Sequence, residues 1–245
     1  FELGAADYGS LFHASISHFF ELLEKRHLNW REITDTQRNQ LVEESVAKAM
    51  EEYQTTVFDS SARNKSMAGR IRRMTDRTLW ALGCQWEHGA YEKTWHELDF
   101  GRAGGNGVTL PVEEGLELSL RGRIDRVDFA EEDGSLYVKV IDYKSGSTKL
   151  DLGKVYYGLQ LQLVLYLEAA MAMAAKRNPN RKLIPAGIYY YNMKDPIVSG
   201  FDMTKEEIEA KQQKELRMNG LTSTEKASLP VSYTHLRAHE TAANL

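Results

Sequence analysis

Asp125, Asp142 and Lys144 interrupt segments that otherwise read as buried β-structure. Asp142 and Lys144 follow Leu136, Val138 and Val140 at a spacing of two. On a strand, residues i and i+2 project to the same side. The apolar face therefore runs into a carboxylate and then an ammonium. A core does not accept unpaired charge without a large cost; the plain alternative is a strand that ends here, with both groups reaching water. Asp125 adds weight to the first reading. It lies late in the preceding strand of a hairpin whose turn signal is Asp133-Gly134. Counting about 8–9 residues from that turn along each arm sets Asp125 opposite Asp142 or Tyr143. Two neighbouring carboxylates repel unless a cation lies between them. Hard oxygen ligands suit Mg²⁺ or Mn²⁺. A lysine alongside can orient a water molecule or stabilise charge developing on phosphorus. Metal, lysine and water together suffice to hydrolyse a phosphodiester.

Other polar residues fall at suggestive spacings. Gln162 and Tyr166 are an i, i+4 pair in a greasy segment and share one helical face. They point either at something polar or at water on an ordinary helix surface. Arg70, Arg73 and Arg77 lie on one face of another helix, within a stretch from Arg63 to Arg77 that has six basic residues and one acid, Asp76. This is a local positive field in a chain of net charge −4, suited to phosphate contacts or to a solvated surface. His13 stands alone on an apolar helix, where a hydrogen-bonded core histidine is the ordinary case.

The elements that must position these groups follow from periodicity. Asp7 to Glu24 reads as a helix capped by Asp7, with Leu11, Phe12, Ile16, Phe19, Phe20 and Leu23 at helical spacing. Thr34–Gln54 and Thr56–Leu82 read as two more helices. Ala90–Phe100 reads as a strand, and Gly101–Gly107 as a glycine-rich loop. Leu116, Leu118, Leu120 and Ile124 mark one face of a single strand, and Leu136–Tyr143 is its hairpin partner. One long helix is predicted from Leu152 to Lys176, a short strand over Ala186–Tyr191 and a charged helix over Lys205–Met218. The fold class is α/β (α+β): a small mixed sheet flanked by helices, with an N-terminal helical part.

Composition narrows the class further. The chain has 245 residues, 42% hydrophobic and 27% charged, an ordinary globular balance. No apolar run approaches the roughly 18 residues needed to span a bilayer. The single cysteine, Cys84, excludes a disulfide framework or a multi-thiolate zinc site, reads as a small core residue, and fits a cytoplasmic location. There is no phosphate-binding loop of the Gly-x-x-x-x-Gly-Lys-Ser/Thr type, so no ATP motor is expected within these residues.

The pieces GRIDRVD (122–128), VIDYKSG (140–146) and QLVLY (162–166), with Gly9 and His13 upstream, resemble the RecB-like branch of the PD-(D/E)xK nucleases. The wording from residue 150 to 167, the opening FELGAADYGSLFH and the late RMNGL are similar to the C-terminal nuclease domain of AddB-type subunits of bacterial helicase–nucleases. The resemblance spans about Phe1 to Leu229 and implies a restriction-endonuclease-like core. It implies that His13, Asp125 and Asp142 hold a divalent metal, Mg²⁺ or Mn²⁺, with the Tyr143 carbonyl as a further ligand. Lys144 would be the catalytic lysine, Gln162 and Tyr166 would position DNA, and Glu97 would be an accessory acid. The implied activity is a DNA exonuclease working in double-strand-break repair and recombination beside an AddA-type subunit. Such proteins also carry a 4Fe-4S cluster, held by one cysteine before the nuclease domain and three after it. Cys84 lies inside the domain, so those ligands are absent from these residues and the cluster belongs to the parent protein.

The expected boundaries are a nuclease domain over residues 1–230, truncated at both ends, and a non-native tail over 231–245. The tail resembles a translated sequencing-adapter read, so the i, i+4 pair His235 and His239 is not taken as a metal site. Three other functions share the motifs in whole or part: a free-standing RecB-like, CRISPR-associated exonuclease, a DNA-binding scaffold without catalysis, and a metal-dependent enzyme acting on another phosphate ester.

Overall fold

A computed structural model describes residues 5–53, 62–87, 91–101, 108–113, 116–198 and 202–224. The expected glycine-rich loop beyond Gly101, the start of the third helix and the 231–245 tail lie outside the described residues. The chain forms two compact units. One comprises residues 1–87, 143–147 and 192–217, and the other residues 88–142, 148–191 and 218–245.

The first unit is helical. α1 (Ala5–Lys25), α2 (Asp35–Glu52) and α3 (Ala62–Glu87) pack against one another, and α6 (Lys205–Glu215) follows late in the chain. Of the expected apolar stripe of α1, Leu11, Phe12, Ile16, Phe19 and Leu23 are buried, and Phe20 is partly buried. Asp7 is not the cap. The helix is already formed at Ala5, which leaves Asp7 in the first turn, where a carboxylate still favours the positive helix end. α2 is capped by Thr34, whose side chain accepts from the Gln37 N–H while the Gln37 side chain accepts from the Thr34 N–H.

The second unit is built on a mixed five-stranded sheet in the order β1-β4-β5-β6-β7. Its strands are β1 (Tyr91–Phe100), β4 (Gly122–Glu132), β5 (Ser135–Lys144), β6 (Lys182–Asn192) and β7 (Asn219–Thr222). The last residues of β5 and β6 are assigned to the helical unit. β2 (Val108–Glu113) and β3 (Leu116–Leu120) form a separate two-stranded sheet. The leucine pattern from Leu116 to Ile124 is thus split between two strands in two sheets, because the chain breaks pairing at Arg121. β4 and β5 are the expected hairpin. Asp133 (φ 49°) and Gly134 (φ 74°) both take positive φ, as a two-residue type I′ connection requires.

The hairpin register sorts its side chains onto two faces. Val127 pairs with Val140 and Phe129 with Val138, and this face packs under α5 (Gln162–Arg177) through Leu163, Ala170 and Met173. α5 is rich in Ala, Leu and Met, strong helix formers, and carries Lys176 and Arg177 where the negative helix end favours cations. The single helix expected from Leu152 is in fact two. α4 (Leu152–Tyr156) ends at Gly158, with φ of 72°. The Gly158 N–H donates to the Val155 carbonyl and the Leu159 N–H to the Lys154 carbonyl, a glycine-terminated helix stop that composition alone does not distinguish from continued helix. Among the described residues no helix is long and apolar enough to cross a membrane.

The other hairpin face holds a buried ionic cluster. Asp128 is fully buried, directly opposite Lys139. The Arg126 Nε lies 2.6 Å and the Lys139 Nζ 2.9 Å from its carboxylate oxygens. The Lys139 ammonium also sits 3.9 Å from the centroid of the Tyr91 ring. The two cations hold the Asp128 carboxyl down to about 2 against the opposing effect of burial. His96 on β1, with both ring nitrogens shut off from solvent, is pushed down to about 3, chiefly by burial and further by Arg126.

The His96 shift makes the fold acid-sensitive with a defined sign. An unfolded histidine takes up a proton near pH 6.5, whereas His96 in the folded protein stays neutral down to about 3. Its contribution is therefore intact above pH 6.5 and declines as pH falls toward 3. Urea unfolding between pH 7.5 and 4.5 should show stability falling by on the order of a few kcal/mol. His96→Gln should flatten that slope; an equal slope in the variant would refute the assignment.

Candidate metal centre

The candidate residues divide between the two units. Asp125, Asp142, Glu97, Gln162 and Tyr166 belong to the sheet unit; His13, Tyr143, Lys144 and the three arginines belong to the helical unit. The chain passes from one to the other at the Asp142–Tyr143 peptide bond.

In the sheet unit the hairpin register places the two aspartates. Arg126 is opposite Ile141, so the next position outward sets Asp125 opposite Asp142. By alternation both project to the face of Val127 and Val140, the face that α5 covers further along. They are 9% and 3% exposed. Of the two positions open from sequence, the register continued outward leads to Asp142 and not to Tyr143. Two anionic groups on one largely dry face are costly without a compensating cation.

β1 supplies a third carboxylate. Glu97 falls between the His96–Arg126 and Leu98–Ile124 pairs, opposite Asp125. A carboxylate oxygen of each lies within 4.8 Å of the other. Glu97 has φ of 47°, a left-handed conformation that costs a residue with a Cβ of order 1 kcal/mol or more and recurs where function demands it. Its carboxylate also accepts from the Arg123 Nη1 at 3.0 Å. The donors in this unit are thus hard carboxylate oxygens, which match Mg²⁺ or Mn²⁺ and do not match a soft metal.

Two phenols border the aspartates. The Gln162 Nε2, in the first turn of α5, donates to the Tyr166 hydroxyl at 2.9 Å, so the i, i+4 pair does share a face. Burial raises the Tyr166 pKa, and Asp142 and Asp125 raise it further against the Gln162 hydrogen bond. Tyr190 on β6, 2% exposed, is raised by burial and then by Asp142, against a hydrogen bond with Gln160. Both phenols therefore keep their protons beside the carboxylates. Tyr190 was missed in sequence, because the run Ile188–Tyr191 reads simply as a buried strand.

In the helical unit, the His13 ring meets the Tyr143 ring edge-on, with centroids 5.9 Å apart, and Phe12 contacts the same ring at 6.0 Å. Lys144 is partly exposed, and its carbonyl accepts from the Met193 N–H at 2.8 Å. The arginines of α3 are partly neutralised. Arg73 and Arg77 lie 3.1 and 3.6 Å from the Asp195 carboxylate, and the Arg70 guanidinium stands 5.9 Å from the Tyr8 ring centroid. Cys84 is partly buried on α3, and one cysteine cannot supply the four thiolates of a 4Fe-4S cluster.

The chain belongs to the PD-(D/E)XK nuclease superfamily, whose sequence profile matches residues 1–239. The mixed sheet with flanking helices agrees with that membership. Among individual proteins, it is 41% identical over 94% of its length to an ATP-dependent helicase/deoxyribonuclease subunit of Lachnoclostridium phytofermentans. It is 34% identical over 90% of its length to the protein of the same name from Alkaliphilus metalliredigens, and 36% identical over 87% to that of Caldanaerobacter subterraneus. The chain spans only 18–19% of the length of these relatives.

A cation that relieves the repulsion between Asp125 and Asp142 should stabilise the fold in proportion to its binding. At a free concentration about a hundred times its Kd the gain is about 2.7 kcal/mol. Thermal unfolding should therefore shift upward by several degrees in Mn²⁺. The double variant Asp125→Asn/Asp142→Asn should lose the shift while gaining stability without metal. An unchanged Mn²⁺ response in that variant would remove both aspartates as ligands.

Proposed function

We propose that this chain is the nuclease domain of a helicase–nuclease subunit and hydrolyses DNA phosphodiester bonds with a divalent metal, Mg²⁺ or Mn²⁺. The observation that carries the reading is the β4–β5 register, which continued one step past Arg126–Ile141 sets the buried Asp125 across from the buried Asp142, with the Glu97 carboxylate beside Asp125. Asp125 and Asp142 would hold the metal, and Glu97 would serve as accessory acid. His13 and the Tyr143 carbonyl join them as ligands on the strength of the motif resemblance. The metal would supply Lewis-acid activation of the phosphate and of water. Lys144, two residues beyond Asp142 on β5, would orient the attacking water and stabilise charge building on the phosphate. Tyr166 and Gln162 would donate hydrogen bonds to the DNA backbone, a role that a phenol held in its protonated form can fill.

The relatives' names join a helicase to a deoxyribonuclease and mark each protein as one subunit of a larger assembly, which supports DNA as the substrate and an AddA-type subunit as partner. Exonucleolytic cutting in cytoplasmic double-strand-break repair and recombination is the corresponding process. Arg70, Arg73 and Arg77 would contact DNA phosphates, with Asp195 giving way to the polyanion at two of them. A 4Fe-4S cluster would belong to the rest of such a parent protein. A scaffold that binds without cutting is the second reading; the retained Asp125, Asp142 and Lys144 weigh against it.

End-labelled linear DNA should be degraded in Mg²⁺ or Mn²⁺ and left intact in EDTA. Lys144→Ala should cut at least about 10²–10³-fold more slowly while binding DNA normally. Full activity in that variant would exclude the lysine, and DNA binding without cutting by the unaltered chain would favour the scaffold.

A further inference from the structure

The link between β5 and α5 displays aromatic surface instead of hiding it. Within the described residues of the sheet unit, the most exposed large hydrophobic side chains are Tyr156, Leu159 and Tyr157, at 85%, 77% and 76%. The two tyrosine rings meet edge to face, with centroids 5.2 Å apart, which leaves ring faces open to solvent.

The display is held in place by a bonded turn. Asp151 caps α4 by accepting from the Lys154 N–H, and the glycine stop at Gly158 closes its other end. One side chain fastens this turn to the candidate metal centre. The Gln160 Oε1 accepts from the Asp151 N–H at 2.8 Å, and its Nε2 donates to the Lys149 carbonyl at 2.9 Å. Gln160 also hydrogen-bonds the Tyr190 phenol, which feels the Asp142 charge and lies beside Tyr166. The tyrosine turn, Gln160, Tyr190 and Asp142 thus form one connected series inside the sheet unit.

The chemistry of the turn is aromatic and cationic together. Lys149 and Lys154 are exposed, while Asp151, the acid of the same turn, is engaged as the helix cap. Open ring faces with ammonium groups alongside match an unpaired nucleotide, which presents a base face and a phosphate. A duplex keeps its base faces within its own stack, apart from the outer faces of its two terminal pairs. Aromatic side chains grouped in water on a turn closed by backbone hydrogen bonds mark a surface for a partner to cover.

We propose that Tyr156 and Tyr157 form a stacking ledge for the bases of a single-stranded nucleic acid, whose backbone Lys149 and Lys154 contact beside Asp125 and Asp142. Gln160 is the positioning residue that couples ledge and centre. The proposal rests on the nuclease reading for the fate of the strand, but the ledge itself is a binding site and is tested without cleavage.

The probes are a 16-nucleotide oligothymidylate carrying one 2-aminopurine, the same chain of abasic sugars, and a blunt duplex, each bound in EDTA. The unaltered chain should bind the oligonucleotide roughly tenfold or more tighter than the abasic chain and quench the 2-aminopurine. Tyr156→Ala/Tyr157→Ala should lose that preference and the quenching, leaving abasic binding unchanged. Tyr156→Phe/Tyr157→Phe should keep both, because stacking needs the ring and not the hydroxyl. Equal binding of base-bearing and abasic chains by the unaltered protein would overturn the ledge. So would alanine variants that bind all three probes as before, or that change only the molecular mass in light scattering, which would assign the surface to a protein contact. Cleavage in Mn²⁺ is scored separately. Cutting with no stacking preference sinks the ledge alone, and stacking with no cutting sinks the nuclease reading alone.

Discussion

Two carboxylates are forced to face each other on a sheet that excludes water, and the architecture around them answers that constraint. The β4–β5 register sets Asp125 opposite Asp142, and β1 brings Glu97 in from the other side. Such crowding is unfavourable in isolation and becomes favourable when a divalent cation is shared. The packing of α5 over the valines of the same face removes water from the approach, which strengthens any charge interaction at its end. Tyr166 and Tyr190 then supply neutral donors where further anions would be intolerable.

The two faces of the hairpin solve different electrostatic problems. On one face two carboxylates share the end of an apolar layer, an arrangement that suits a bound cation. On the other, Asp128 lies between Arg126 and Lys139, and the Tyr91 ring receives the lysine. A buried ionic cluster contributes less net stability than apolar residues of equal volume would, since desolvation offsets much of the attraction. What it does provide is a penalty for every arrangement that separates its members.

Much of this was legible in the sequence. The period of two in β5, the Asp133-Gly134 turn and the arithmetic of the hairpin were enough to bring Asp125 to Asp142, because strand alternation and turn geometry are local rules. Gln162 and Tyr166 were legible for the same reason, at helical spacing. The misses were non-local or hidden by composition. Gly158 stops a segment that reads as one apolar helix, and its left-handed conformation goes with hydrogen bonds to the Lys154 and Val155 carbonyls. The leucines from Leu116 to Ile124 keep one period across two strands, so their pattern carries no sign of the break. Tyr190 looks like core until the strand order sets β6 next to β5. The charged side chains of Asp128 and Lys139 gave no hint of burial, since their partner lies across the turn.

The Asp133-Gly134 turn also bears on how the chain can change in length. Strand faces alternate with every residue, so inserting or deleting one residue in either arm between the turn and the aspartates would exchange the two faces. The valines would meet the face of the ionic cluster, Asp128 would enter the apolar layer, and one aspartate would turn away from the other. Changes of even length in one arm would keep the faces but offset Asp125 from Asp142. Only the tip, from Glu132 to Ser135, can grow without disturbing either. The spacing between GRID and IDYK is thus a ruler cut by pleat geometry, and homologous chains should vary in length at the hairpin tip and hold both arms fixed.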